Sequence, residues 1–209
     1  MRGVGERLAR NFKSTFLSCE KDQESIWKRL FVESSPYSEK LKRLLIINTP
    51  DCLDETQRQW DDLIQQATVK NLHEQGYISA VPKIAAGEHQ EVMAYIIMEF
   101  DNVMPTTNPE YRDTTINFVI CCQLDYWELD NYKLRPHQIA GYIDGILNNS
   151  RLTGIGTLQF LGASQFVLNE YLGGIMLRYI ATHGREDEEK ADQSLPSPEK
   201  LGSRDFDDE

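Results

Sequence analysis

Ile139, Tyr142, Ile143, Ile146 and Leu147 recur at spacings of three and four, and this predicts one apolar stripe on a short helix. Pro136 stands where a first helical residue belongs, since its missing N–H would be unpaired there anyway. Asn148, Asn149 and Ser150 stop the helix with residues that prefer turns and caps. Two stretches rich in β-formers follow, residues 157–168 (TLQFLGASQFVL) and 173–182 (GGIMLRYIAT), with a reversal over 169–174. A two-strand ribbon beside one helix is not stable alone in water, so further strands are required. Residues 92–100 (VMAYIIMEF) and 114–125 (TTINFVICCQLD) supply them, the first apolar enough to be buried on both sides for part of its length. Residues 101–112 (DNVMPTTNPEYR), with two prolines, two asparagines and two threonines, read as a long loop between them. The order strand, loop, strand, helix, strand, strand predicts an α+β fold, a four-stranded mainly antiparallel sheet packed by a helix.

Upstream, Leu8, Phe12, Phe16 and Leu17 suit an amphipathic turn or two, and Ile26, Trp27 and Leu30 share one side of a second helix over 25–31. Ser35-Pro36 reads as an N-cap and first-turn proline opening a third helix over 37–46. These short, punctuated pieces read as an N-terminal helical extension, residues 1–50. Asp54 is placed to cap a helix over 55–67, with Trp60, Leu63 and Ile64 inward, and Thr68 to start a turn that Gly76 closes. Residues 51–185 then form the core domain. Residues 186–209 carry almost no aliphatic side chains and much negative charge, which predicts a disordered acidic tail.

Charge sharpens this division. Residues 1–50 hold ten basic and six acidic groups, residues 51–185 nine and seventeen, and residues 186–209 three and ten. A body this acidic is not expected to grip nucleic acid by neutralising phosphates. No run reaches the roughly 18 apolar residues of a membrane span, and no apolar signal core follows the basic Met1–Arg10 stretch. Cys19, Cys52, Cys121 and Cys122 lack metal-ligand spacing and read as free thiols of a reducing compartment.

Candidate chemistry is sparse. His73, His89, His137 and His183 are scattered, with no Cys, Glu or second His at ligand spacing, so no metal site is expected. Gly154-Ile155-Gly156 lies between a helix and a strand, the reverse of a phosphate loop, and no Gly-x-Ser-x-Gly elbow is present. Asp101, Asp113 and Asp125 fall at strand ends and read as solvated. No catalytic residue and no cofactor are expected. Tyr126, Trp127, Tyr132, Tyr142, Tyr171 and Tyr179 are of the kind enriched at protein–protein contacts, although core filling suits any one of them equally.

The succession INFVICCQLDYWEL, LRPHQIAGYIDGILNN and LTGIGTLQFLGASQFVLNEYLGGIMLRYIATHG resembles neck and tail-completion proteins of tailed bacteriophages, above all the tail terminator group. The resemblance covers about residues 77–185. It implies a homohexameric ring that caps the tail tube and joins it to the head, with no catalysis. The implied partners are sibling subunits, the tail tube protein and a head-side connector or stopper; DNA passes through the lumen without specific binding, and no membrane is involved. The implied location is the virion neck, assembled in the bacterial cytoplasm. Tyr111, Arg112, Phe160, Phe166, Tyr171 and Arg178 are the expected inter-subunit contacts. The N-terminal seventy or so residues and the acidic tail exceed the compact family form, and such additions also suit a head-closure (stopper) or adaptor protein. The alternative from another class is a cytosolic α+β enzyme or small-ligand domain.

Overall fold

Four strands of twelve residues each, paired across most of their lengths, carry the architecture of this protein. The structure, a computed structural model, describes residues 15–33, 35–80, 93–107, 111–152 and 155–183. In chain order the helices are α1 (Thr15–Phe31), α2 (Pro36–Ile46), α3 (Asp61–Gln66), α4 (Val69–Glu74) and α5 (Arg135–Leu147). The strands are β1 (Ile78–Ser79), β2 (Ala94–Pro105), β3 (Arg112–Gln123), β4 (Glu128–Leu129), β5 (Lys133–Leu134), β6 (Arg151–Leu152), β7 (Gly156–Val167) and β8 (Leu172–His183).

The sheet corrects the sequence expectation. It has six strands in the order β1-β2-β3-β8-β7-β6, and it is mixed, because β1 runs parallel to β2 while the other neighbours are antiparallel. A second sheet pairs β4 with β5. The α+β class stands; the count of four falls because β1 and β6 have two residues each, too few to show a period. The expected loop over 101–112 is corrected too. A bulge at Asp101 resets the register, and pairing continues from Asn102↔Thr115 to Pro105↔Arg112. Cross-strand pairing there outweighs the local turn signals of Asn102 and Thr106.

One face of the sheet holds the main core. Ile116, Phe118, Ile120, Ile175, Leu177 and Tyr179 meet Ile139, Ile143, Ile146 and Leu147 of α5. The N-terminal helices reach that same core through Ile26, Trp27, Leu30, Leu41, Leu44 and Leu45. Each such buried side chain contributes about 1.5–3 kcal/mol. Trp27 meets Phe118 edge-on, with ring centres 6.4 Å apart. Two polar ties fix the layers: the Tyr179 hydroxyl donates to Asp144 of α5 at 2.9 Å, and Arg112 of β3 bridges Asp22 of α1 at 3.4 Å. Ser35 caps α2 as its sequence predicts, accepting from the Tyr37 amide at 3.2 Å. Asp54 instead folds back on Thr56, and a 3-10 turn (Arg58–Trp60) precedes α3. The acidic-tail residues and the first candidate helix, up to residue 14, lie outside the described residues.

Gly174 marks the tightest point between β3 and β8. A Cβ added there would sit 1.7 Å from the Ile120 carbonyl oxygen, so backbone rather than a side chain must move. Gly174→Ala is therefore expected to destabilise the fold by about 3 kcal/mol, the upper range for overpacking. Urea unfolding measures it; a loss below about 0.5 kcal/mol would contradict the packing described.

Candidate assembly interface

The two long edges of the sheet differ in how they are protected. Beyond its short pairing with β1, β2 carries Glu99, Asp101, a bulge and Pro105, all devices that discourage a strand from adding to an edge. The β7 edge has almost none. No charged residue and no proline occur between Arg151 and Glu170. Strand β6 covers only Gly156 and Thr157, and the Asn148 side chain reaches the Phe160 amide at 3.3 Å. From Leu161 to Val167 no strand among the described residues pairs with the outer side of β7. The single irregularity is a bulge that leaves Leu161 out of register between Phe160 and Gly162.

Exposure follows this edge. Leu161 is 56% exposed, Val167 63%, Leu168 48% and Tyr171 67%. Beyond Leu158 every β7 residue is exposed on one face or the other except Gly162 and Phe166, which are half-buried. The turn to β8 is nevertheless well made, with Asn169 accepting from the Tyr171 and Leu172 amides at 2.9 and 2.8 Å. A rigid hairpin thus presents an uncharged margin to water.

The residues expected to make contacts are spread over both ends of this hairpin and both faces of the sheet. Phe160 is 41% exposed and rests edge-on against Tyr179, with ring centres 5.6 Å apart. Phe166 lies on the opposite face, half-buried against a small cluster of Tyr95, Ile97 and Cys121. Tyr171 stands in the β7–β8 turn, and exposed Arg178 sits across from Asn117 of β3. Tyr111 is exposed at the far end, where its carbonyl closes the β2–β3 hairpin by accepting from Thr106. Arg112 faces inward to Asp22 and serves its own subunit. Leu161, Val167 and Leu168 were not singled out by sequence, because an apolar strand residue reads the same whether it faces a core or a neighbour.

The small outer cluster has an electrostatic signature. Burial pushes the Cys121 thiol up to about 11, and it holds the Tyr95 phenol well above its usual range. Burial also raises Cys122 and Tyr179. The folded state therefore keeps these protons after the unfolded chain has lost them. Their contribution is complete below about pH 9 and declines as pH rises toward 11. The melting temperature should accordingly fall between pH 9 and 11, and less steeply in Cys121→Ala. Equal slopes in both proteins would refute the assignment.

Among the described residues, no group of three or more His, Cys, Asp or Glu is placed to hold a metal, and no helix is long and apolar enough to cross a membrane. A cleft of about 740 Å³ lies between α1, α2 and α3, remote in sequence from the β7 margin. Fold and margin together define an α+β protein with an open mixed sheet, helices on one face and one unguarded edge. The chain belongs to the YomW family, whose model matches residues 38–181. No curated protein matches it in sequence. A chain of the virion of a native gene transfer agent (GTA) particle is similar at TM-score 0.38 and 16% identity, over 59% of this chain and 90% of that one.

Proposed function

We propose that this protein is a structural component of a phage or phage-like particle, and within it a tail terminator: a ring that caps the tail tube and joins tail to head. Membership of the phage-like YomW family supports the broader statement, a phage-associated structural protein. One observation carries the assembly mechanism. The β7 margin, uncharged and, among the described residues, unpaired from Leu161 to Val167, is a liability on a lone subunit and an asset between subunits. The opposite margin is guarded, so growth is directional, and the hairpin contacts a sibling head to tail until the ring closes. The sibling and tube contacts are the working surfaces, and the protein acts without catalysis or cofactor. Residues 51–185, with seventeen acidic against nine basic groups, would line a passage that lets DNA slide by repelling phosphate.

Native mass spectrometry of the purified full chain, alone and with tail tube protein, tests this reading. The expected result is a closed oligomer, six copies on the terminator reading, that binds tube ends and stops further growth. A monomer at every concentration that leaves tube growth unchanged would overturn it.

A further inference from the structure

The β4–β5 hairpin turns through Asn131 and Tyr132, both in the left-handed region at φ 61° and 60°. Glycine is the residue that meets no Cβ penalty in that region. A tyrosine at the second position carries about 1–2 kcal/mol of backbone strain. Its ring recovers nothing locally, since Tyr132 is fully exposed. The base of the hairpin is nevertheless held firmly. Leu129 is buried, the Asp130 amide donates to the Pro50 carbonyl at 3.1 Å, and the Arg135 amide donates to the Trp127 carbonyl at 2.7 Å. A rigid arm thus holds one aromatic ring in water at a strained position.

The same chain carries a matching recess. The cleft between α1, α2 and α3 has apolar walls from Phe31, Val32 and Ile64, with Val32 61% exposed at its lip. Arg43 lines it, 2% exposed; its Nε donates to Glu39 at 3.2 Å and its Nη2 to Asp61 at 2.7 Å, while Nη1 has no acceptor. The acids of the cleft are engaged: Glu39 and Asp61 by Arg43, Glu55 by Lys40, and Glu33 by Arg29. Among the described residues Lys42 forms no ion pair; burial lowers its pKa, and the Glu39 carboxylate partly offsets this. The recess therefore offers an apolar wall, the half-buried Lys42 ammonium and, beneath its surface, one guanidinium N–H without a described acceptor. The hairpin offers an aromatic ring, a phenol oxygen and the carboxylate of Asp130.

We propose that Tyr132 of one copy inserts into the α1–α2–α3 cleft of a second copy, with Asp130 beside Lys42. This rests on the self-assembly reading above and adds a contact that the β7 margin does not supply. Tip and cleft are different surfaces of one chain, so the contact is head to tail and suits a closed ring rather than a two-fold dimer. Exposed tyrosine is a residue type enriched among interface anchors, which gives the strained turn a reason to persist.

The test uses the full chain in a Cys19→Ser background, so that the remaining cysteines, Cys52, Cys121 and Cys122, are buried. Val32→Cys and Lys133→Cys variants, both keeping Tyr132, are mixed and oxidised with copper phenanthroline, then run on non-reducing gels. A disulfide-linked dimer that forms in the mixture, and at least tenfold less in either variant alone, is the expected result. Lys133→Cys dimers as abundant as those of the mixture would overturn the proposal in favour of tip-to-tip contact. An oligomer by light scattering that gives no cross-link overturns this contact and leaves the self-assembly reading standing; a monomer at all concentrations removes both. As a second readout, Tyr132→Gly should raise the melting temperature while weakening self-association at least tenfold. Unchanged association in that variant would also overturn the proposal.

Discussion

Arg135→Met is expected to remove about 4 kcal/mol of stability and to lower the melting temperature by about 8–16 °C, on the usual 2–4 °C per kcal/mol for chains of this size. Arg135 is 1% exposed, at the first turn of α5, and makes no ion pair among the described residues. Its guanidinium instead serves four backbone carbonyls. Nε donates to Tyr126 at 2.9 Å, Nη1 to Leu44 at 2.6 Å and Ile47 at 2.8 Å, and Nη2 to Thr49 at 3.1 Å. Leu44 and Ile47 lie at the C-terminal end of α2, where carbonyls lack helical partners and the helix dipole favours a cation. One side chain thus ties α2, the chain after it and the approach to the β4–β5 hairpin to the central helix. Methionine fills similar space but leaves three of these acceptors without donors, the Thr49 carbonyl keeping the Cys52 amide at 3.3 Å, and removing one partner of a buried charged hydrogen-bond set costs about 3–5 kcal/mol. Arg135→Lys should recover less than half of the loss, because an ammonium cannot span a fork of this width. Guanidinium-chloride unfolding of the three proteins measures both effects. A Lys variant as stable as wild type would show that charge alone matters, and a Met variant within 1 kcal/mol would show that the carbonyls find other donors.

That role could not be read from the sequence, where Arg135 is only the residue before a helix-opening proline. The stripe of α5 and the four long strands were legible because nine or more residues of consistent pattern stand in each. β1 and β6 were not, since Ile78-Ser79 and Arg151-Leu152 show nothing that a loop would not show. The far half of β2 was hidden by its bulge, which breaks alternation at Asp101, and by turn-forming residues that pairing with β3 overrides. The N-terminal helices gave a readable periodicity over 25–31 and 37–46, but not their destination. Only packing reveals that Trp27 rests on Phe118. The candidate interface divides in the same way. Aromatic content marked the β7–β8 hairpin and Tyr132 as the kind of residues that contacts use, while exposure at Leu161, Val167 and Leu168 depends on which strand is last in the sheet. Strand order is a long-range property, set here by β8 lying between β3 and β7.

Placing two lysines on that last strand, as Ala163→Lys with Gln165→Lys, is expected to abolish self-association while the subunit remains folded. Both residues are exposed, and neither side chain makes a described hydrogen bond, so the change in subunit stability should stay within about 0.5 kcal/mol. The effect on assembly comes from two sources. Any strand added beside β7 must desolvate two ammonium groups placed along the shared margin, and charge at an edge is what natural sheets use to prevent such pairing. A combined penalty near 3 kcal/mol corresponds to a more than hundredfold rise in Kd. Lysines at Gln66 and Gln75, both exposed and outside the β7 margin and the α1–α2–α3 cleft, provide the matched control for added charge. Sedimentation velocity across a hundredfold concentration range distinguishes the outcomes. A β7 variant that stays monomeric while the control assembles is the expected pattern. Assembly of both alike would move the contact away from β7, and loss in both would trace it to net charge rather than to the margin.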